Sequence, residues 1–427
     1  MNAAPLTILG QTNYRNVRRR FGLKPADRRR PVYIVGKTGM GKSTLLLNCI
    51  VQDLVGGNGV AVFDPHGDLV EQALDHIPAR RVNETVYVNP ADLDYPIAFN
   101  VLHSADPRQR SLQASGLVQV FKKIWADTWG PRLEYVLRNA ILALLEAPGS
   151  TLLGLPRLLT DGVYRARIVA AVHDPVVRRF WQVEFEQYPK VFRTETISPI
   201  QNKVGQFLTT PLTRNILGQT QTRIDFDAIL NDGQILLLNL AKGKIGEDTS
   251  ALLGSLFLTQ LYLAALRRAH APEATRRDFY AYIDELQSFT TEDFPTMLSE
   301  ARKYRLNFAG VANQFIAQLP LRFASAILGN AGTLVAFATG AEDAAILSRE
   351  FAPTFGAVDL QSLPQFATYV RLSIDGRTSE PFSAETLPPR PAPTPAHRAA
   401  IIAQSRMRYC RPKHSIEEKI QQWLAPT

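Results

Sequence analysis

The chain is predicted to be an α/β protein with a mostly parallel sheet, interrupted by an all-α insertion. Three observations predict this. Short apolar runs alternate with helical stretches over residues 31–103, the same alternation resumes at about residue 221, and the stretch between shows long helical periods and almost no strand signal.

In chain order, residues 1–30 form a polar lead-in ending in a basic run of Arg15, Arg18, Arg19, Arg20, Lys24, Arg28, Arg29 and Arg30. Such a run is either a solvated tail or a set of phosphate contacts, to DNA or to a nucleotide. PVYIV (31–35) reads as a buried strand, followed by a Gly-rich turn and an amphipathic helix from Ser43 to Val55. Gly56, Gly57, Asn58 and Gly59 break that helix, and GVAVFD and ETVYVNP supply two more strands. Over 104–220, SLQASGLVQVFKKIW, PRLEYVLRNAILALLEA and DPVVRRFWQVEFEQY carry helical periodicity, with Pro107, Pro131, Pro156 and Pro175 near helix starts. This segment has an excess of six basic residues over acidic ones. From 221 to 385, ILLLNL, FYAYIDE, LNFAGVANQ, GTLVAFAT and ATYVRLSI read as strands, with helices over 249–269 and 293–305. Residues 386–427 are expected to be a Pro-rich linker, LPPRPAPTPAH, and a basic helix with Ile416–Leu424 apolar at helical spacing.

With 45% hydrophobic and 20% charged residues, the chain has the composition of a folded soluble protein. The formal net charge of +9 favours an anionic partner. Cys49 and Cys410 are too few for a disulfide framework and fit a reducing cytoplasm. Seven scattered histidines show no ligand spacing, so zinc is not expected. The longest uncharged stretch, 323–341, is punctuated by Ser325, Gly329, Asn330, Gly332 and Thr333, so no membrane-spanning helix and no secretion signal are expected.

Gly36, Lys37, Thr38, Gly39, Met40, Gly41, Lys42 and Ser43 fit G-x-x-x-x-G-K-[ST], after a strand and opening a helix, with Thr44 next on that helix. Glycines let successive backbone N–H groups face phosphate oxygens, and the helix N-terminus adds its positive end. Lys42 is suited to the β- and γ-phosphates and the Ser43 hydroxyl to Mg²⁺. ATP and Mg²⁺ are therefore the expected ligands. The strand YAYI then delivers Asp284 and Glu285 to its C-terminal end, where α/β sites lie. The expected division has Asp284 in the Mg²⁺ shell and Glu285 as the base for the attacking water, which points to hydrolysis. Asp64, ending GVAVFD, either reaches the metal or caps the helix near Asp68, and His66 reads as a loop residue.

VGKTGMGKST, VFDPHGDL, YIDELQSF, LSEARKYRLNFAGVANQFIAQL and ILGNAGTLVAFATGAEDA together resemble the HerA/FtsK superfamily of DNA-pumping ATPases over about residues 30–385. Within it they are most similar to the TraD/TraG-like type IV secretion coupling proteins of conjugation. The resemblance implies a RecA-like P-loop core carrying an all-α domain, and a homohexameric ring that drives DNA. It also implies a γ-phosphate sensor at Gln314, with Asn313 the alternative one residue away, and a trans-acting arginine finger at Arg302, with Arg305 the alternative. Many coupling proteins begin with transmembrane helices, and none is read here.

DNA contacts are expected from pore-facing loops, for which Lys242 and Lys244 are candidates. Lys122, Lys123, Arg132 and Arg138 interleave with Trp125 and Trp129, which either stack on bases or sit in the core. Arg406, Arg408, Arg411 and Lys413 are candidates for contact with DNA or a neighbouring subunit. The expected function is an ATP-hydrolysing DNA translocase in the cytoplasm, either free or held at the inner face of the membrane by secretion-channel or relaxosome proteins. The alternatives are an ATP-dependent adaptor that recruits a DNA–protein substrate, or an assembly ATPase indifferent to DNA.

Overall fold

A computed structural model describes residues 6–103, 106–126, 129–393 and 396–425. Residues 1–5 of the lead-in and 394, 395, 426 and 427 of the C-terminal segment lie outside the described residues. The chain divides into two compact units. The first comprises Met1–Tyr87, Phe226–Leu240 and Ala264–Gln404; the second comprises Val88–Asp225, Ala241–Leu263 and Ser405–Thr427.

The first unit is built on an eleven-stranded sheet. Its strands are β1 (Thr7–Thr12), β2 (Arg20–Leu23), β3 (Val32–Val35), β4 (Gly59–Asp64), β5 (Thr85–Val88), β6 (Ile235–Asn239), β7 (Phe279–Ile283), β8 (Leu306–Asn313), β9 (Thr333–Ala336) and β10 (Ala367–Arg371). A short hairpin of β11 (Ser373–Ile374) and β12 (Arg377–Thr378) stands apart, and β13 (Phe382–Thr386) returns to the sheet. The spatial order is β2-β1-β13-β10-β9-β3-β8-β7-β4-β6-β5. β9, β3, β8, β7, β4 and β6 run parallel, while β10, β13, β1 and β2 form an antiparallel wing. Every residue of β3, β4, β6, β7 and β8 is buried, which is why these strands read as continuous apolar runs rather than alternating ones. Val35 aligns with Asn313 and Ala336, Phe63 with Ile283, and Asp64 with Asn239. The residues that follow β3, β4 and β7 therefore emerge along one C-terminal edge.

Helix α1 (Lys42–Gly56) buries Leu45, Leu46, Ile50 and Leu54 against this sheet and ends at Gly57, whose φ of 81° suits glycine. The described part of the lead-in, residues 6–30, is folded rather than a solvated tail. The Gln52 amide of α1 holds β1, accepting from the Ile8 N–H at 2.8 Å and donating to its carbonyl at 2.9 Å. Arg28 is 3% exposed. It donates to both oxygens of Asp53 at 2.8 and 2.6 Å and to the Tyr282 hydroxyl at 2.9 Å, and it lies 3.7 Å over the Tyr280 ring. This arginine therefore ties α1 to β7 and is not available to phosphate. Arg29 pairs with Asp278 at 2.9 Å. The Pro-rich segment is also anchored: Asn48 donates to the Leu387 carbonyl at 2.8 Å, and Arg398 grips Glu71 and Asp75 at 2.6 and 2.7 Å.

In the second unit, the described residues of 104–220 form helices at Arg110–Ile124, Pro131–Glu146, Gly154–Thr160, Gly162–Ala170, Pro175–Arg179, Lys190–Thr209 and Pro211–Leu217. Asp161 and Asp174 cap their helices by accepting two backbone N–H groups each. Trp125 is 2% exposed and stacks on Phe121 at 4.6 Å, which places it in the core. Trp129 is half-buried and donates to Glu134 at 2.8 Å. The 249–269 helix spans Glu247–Arg267, and its Phe257 stacks on Phe99 at 4.1 Å. Among the described residues, Glu247–His270 is the one stretch long and apolar enough to cross a membrane, and 89% of its apolar window is buried. Lys242 and Lys244 lie exposed on the short helix Lys242–Ile245. The C-terminal segment holds two helices, Arg398–Tyr409 and Lys413–Leu424. Ile416 and Ile420 of the second are buried, Arg157 donates to the Trp423 carbonyl at 3.0 Å, and Arg406 pairs with Asp92 at 2.7 Å.

Candidate nucleotide site

A cavity of about 460 Å³ opens at the C-terminal edge of the parallel strands of the first unit. It is lined from one side by Thr38, Gly39, Gly41, Lys42, Ser43 and Thr44, and from another by Asp64, Asp284 and Glu285. The loop after β3 turns because Gly39 and Gly41 adopt φ of 78° and 114°, a region that disfavours side chains. The Gly36 N–H donates to the Asn313 carbonyl and the Lys37 N–H to the Ala338 carbonyl, so β8 and the end of β9 fix both shoulders of the loop. Lys42, only 7% exposed, donates to the carbonyls of Gly36 and Lys37 at 2.6 and 3.1 Å. Burial pulls its ammonium below the usual lysine range, partly offset by the carboxylates of Glu285 and Asp284.

The Ser43 hydroxyl donates to Asp284 Oδ2 at 3.3 Å. The Asp284 N–H donates to the Phe63 carbonyl, which continues the β4–β7 pairing into the site. Burial raises the Asp284 carboxyl to about 6, helped by Asp64 and Glu285 and opposed by Lys42 and His66. Glu285 sits at φ 48°, a conformation uncommon for its residue type, and lines the cavity. Its carboxylate accepts from the Gln287 amide, and Gln287 Oε1 accepts from Asn313 at 2.6 Å. Asp64, fully buried, accepts from the N–H groups of His66 and Val70 at 2.9 and 3.0 Å. Both of its oxygens thus serve the turn and first turn of helix α2 (Asp68–Asp75), beside Asp284. His66 is an exposed loop residue that lines the cavity.

The loop, Lys42, Ser43, Asp284 and Glu285 are therefore brought together, although 241 residues separate Ser43 from Asp284. Gln314 follows β8 half-buried and outside the cavity lining, whereas Asn313 is fully buried and bonded into the Glu285 chain. Arg302 is exposed in the turn Ala301–Tyr304 and makes no side-chain ion pair among the described residues. Arg305 is engaged by Glu273 at 3.0 Å. Gln365 and Phe366, which also border the site, carry no motif that would single them out in sequence, and Gln287 falls within YIDELQSF without being singled out there. Gln287 stands two positions past the acid pair and is visible only as a polar residue at a strand end.

The family described as "Helicase HerA, central domain" matches residues 26–261, more than half of the chain. No curated protein matches the chain in sequence. Among solved structures, the plasmid coupling protein TrwB in complex with ADP and Mg²⁺ superposes with a TM-score of 0.64 at 14% identity, covering 93% of this chain and 92% of that one. The unbound monoclinic form of the bacterial conjugative coupling protein TrwBdeltaN70 gives 0.61 at 14%, covering 92% and 91%. VirB4 of Thermoanaerobacter pseudethanolicus gives 0.59 at 13%, covering 91% and 97%. The fold is that of the RecA-like P-loop NTPases, with a mostly parallel sheet.

Proposed function

Because this chain belongs to the helicase HerA central-domain family, we propose that it hydrolyses ATP at the Gly36–Thr44 loop and uses the energy to move DNA through a homohexameric ring. The observation that carries the reading is the convergence of Lys42, Ser43, Asp284 and Glu285 on one cavity. The hydroxyl of Ser43 and the carboxylate of Asp284 are hard oxygen donors, 3.3 Å apart, of the kind Mg²⁺ selects, and these two residues would hold it. When bound, Mg²⁺ neutralises charge on the phosphate oxygens. The loop N–H groups and Lys42 bind and orient the triphosphate. Glu285 takes the proton from the attacking water, and the Gln287 amide holds its carboxylate in place.

Charge that develops on the γ-phosphoryl group needs a cation, and Arg302, exposed and unengaged, is suited to supply it to the neighbouring subunit's site. The end of β8 carries the polar γ-phosphate sensor. Gln314 is the residue implied by resemblance, and the bonded chain to Glu285 favours Asn313. The net charge of +9 and the exposed Lys242 and Lys244 suit a polyanionic cargo. The setting that best fits the structural relatives is conjugative or type IV secretion DNA transfer, with the protein in the cytoplasm and held at the membrane by channel or relaxosome proteins.

The test is ATPase activity with single-stranded DNA, duplex DNA and none, alongside a mass measurement. Several-fold stimulation by DNA in a six-subunit species is expected. A rate indifferent to both DNAs would point instead to an assembly ATPase, and slow turnover with ATP-gated partner binding to an adaptor.

A further inference from the structure

We infer that Phe366 is the base-binding wall of the nucleotide cavity and makes the site selective for purines over pyrimidines; the inference rests on the nucleotide-site reading above. Phe366 lines the cavity and leaves 42% of its surface exposed, an apolar ring in a lining otherwise rich in charged and polar groups. Its backbone sits at φ 65°, which a bulky aromatic residue rarely adopts. That conformation is held from both sides. The Phe366 N–H donates to the Met40 carbonyl at 3.0 Å, its carbonyl accepts from the Thr386 N–H at 2.9 Å, and the neighbouring Gln365 amide donates to the Gly39 carbonyl at 2.8 Å. The ring lies so close to Gly41 that a Cβ there would come within 2.7 Å of Phe366 Cδ1. The aromatic ring is thus part of the phosphate loop's own geometry, although 326 residues separate Gln365 from Gly39.

The sheet order gives the ring its role. Phe366 immediately precedes β10, which lies beyond β9 on one flank of β3, whereas the acid pair follows β7 on the other flank. A triphosphate whose terminal group faces Asp284 and Glu285 directs its other end toward the Phe366 flank. A flat, partly exposed π face is what a nucleobase stacks on; adenine and guanine offer two-ring faces of similar size, and a pyrimidine offers one ring and stacks more weakly. One N–H of the Gln365 amide is committed to the Gly39 carbonyl, which ties this side chain to the phosphate loop. The site should therefore accept ATP and GTP with similar affinity and hold the smaller pyrimidines less well.

The experiment is calorimetric binding of Mg²⁺·ADP, Mg²⁺·GDP, Mg²⁺·CDP and Mg²⁺·tripolyphosphate to the full chain. Phe366→Leu keeps an apolar side chain against Gly41 but removes the π face, and Phe366→Trp restores it. In the wild type, ADP and GDP should bind within about threefold of one another and CDP about tenfold more weakly. Phe366→Leu should weaken ADP about tenfold while tripolyphosphate stays within twofold, and Phe366→Trp should recover ADP binding. Unchanged ADP affinity in Phe366→Leu, or equal losses for ADP and tripolyphosphate, would overturn the inference, the latter because the ring would only be supporting the loop. A wild-type chain that binds neither ADP nor tripolyphosphate would overturn the nucleotide-site reading itself, and this inference with it.

Discussion

The Ser43 hydroxyl and the Asp284 carboxylate meet at 3.3 Å because the loop after β3 leads into α1 and β7 lies two strands from β3, through β8. The contact is set by sheet register: Phe63 aligns with Ile283, and the Phe63 carbonyl holds the Asp284 N–H.

Asp284 carries a burial cost that pH reveals. Its carboxyl ionises at about 6 in the fold against 3.8 for the unperturbed group. The folded state therefore holds more protons between those values, and stability falls as pH rises from about 4 through about 6. Above that window the destabilisation is complete, on the order of 3 kcal/mol. Urea unfolding of metal-free protein should show Asp284→Asn more stable than the wild type at pH 7.5, with the gap closing by pH 4. Equal stability at both pH values would contradict the burial argument.

Arg28 tests whether the basic lead-in is scaffold or ligand surface. Arg28→Met leaves Asp53 buried without its cationic partner and should lower the unfolding free energy by about 3–5 kcal/mol. Loss of DNA affinity with unchanged stability would reverse this assignment.

The Glu285–Gln287–Asn313 chain makes Gln287 a positioning residue. Gln287→Ala should reduce kcat by roughly 10- to 100-fold with KM for ATP little changed. Gln287→Ala and Asn313→Ala together should cost less than the sum of the single losses, because one chain is broken in both. Additive losses, or a loss confined to KM, would contradict a shared role.

Arg302 is exposed and Arg305 is paired with Glu273. Arg302→Ala should lose about a thousandfold or more in kcat, and mixed oligomers should lose activity out of proportion to the mutant fraction. Arg305→Ala should act mainly on stability. Full activity of Arg302→Ala would remove the finger.

The phosphate loop and the acid pair were legible because each is local: one is a strand–turn–helix within 36–44, the other two carboxylates at the end of an apolar run. The parallel strands were legible because burial on both faces leaves continuous apolar stretches. What sequence hides is pairing at long range. β1 and β2 contain Gly10, Gly22 and Arg20; β2 pairs with β1, and β1 joins the sheet through β13, more than 350 residues on. Arg28 looked like one basic residue among eight until Asp53 and Tyr282 enclosed it. The Phe366 contact with the loop and the Gln287 link to Glu285 leave no periodicity to read. The 247–267 helix was visible as a helix, but its membership of two compact units was not.

The account stands most directly on Glu285. In single-turnover measurements with saturating Mg²⁺·ATP, Glu285→Gln should bind ATP as tightly as the wild type and hydrolyse it about 100- to 10,000-fold more slowly. Hydrolysis by Glu285→Gln at the wild-type rate would place the base elsewhere and contradict the account.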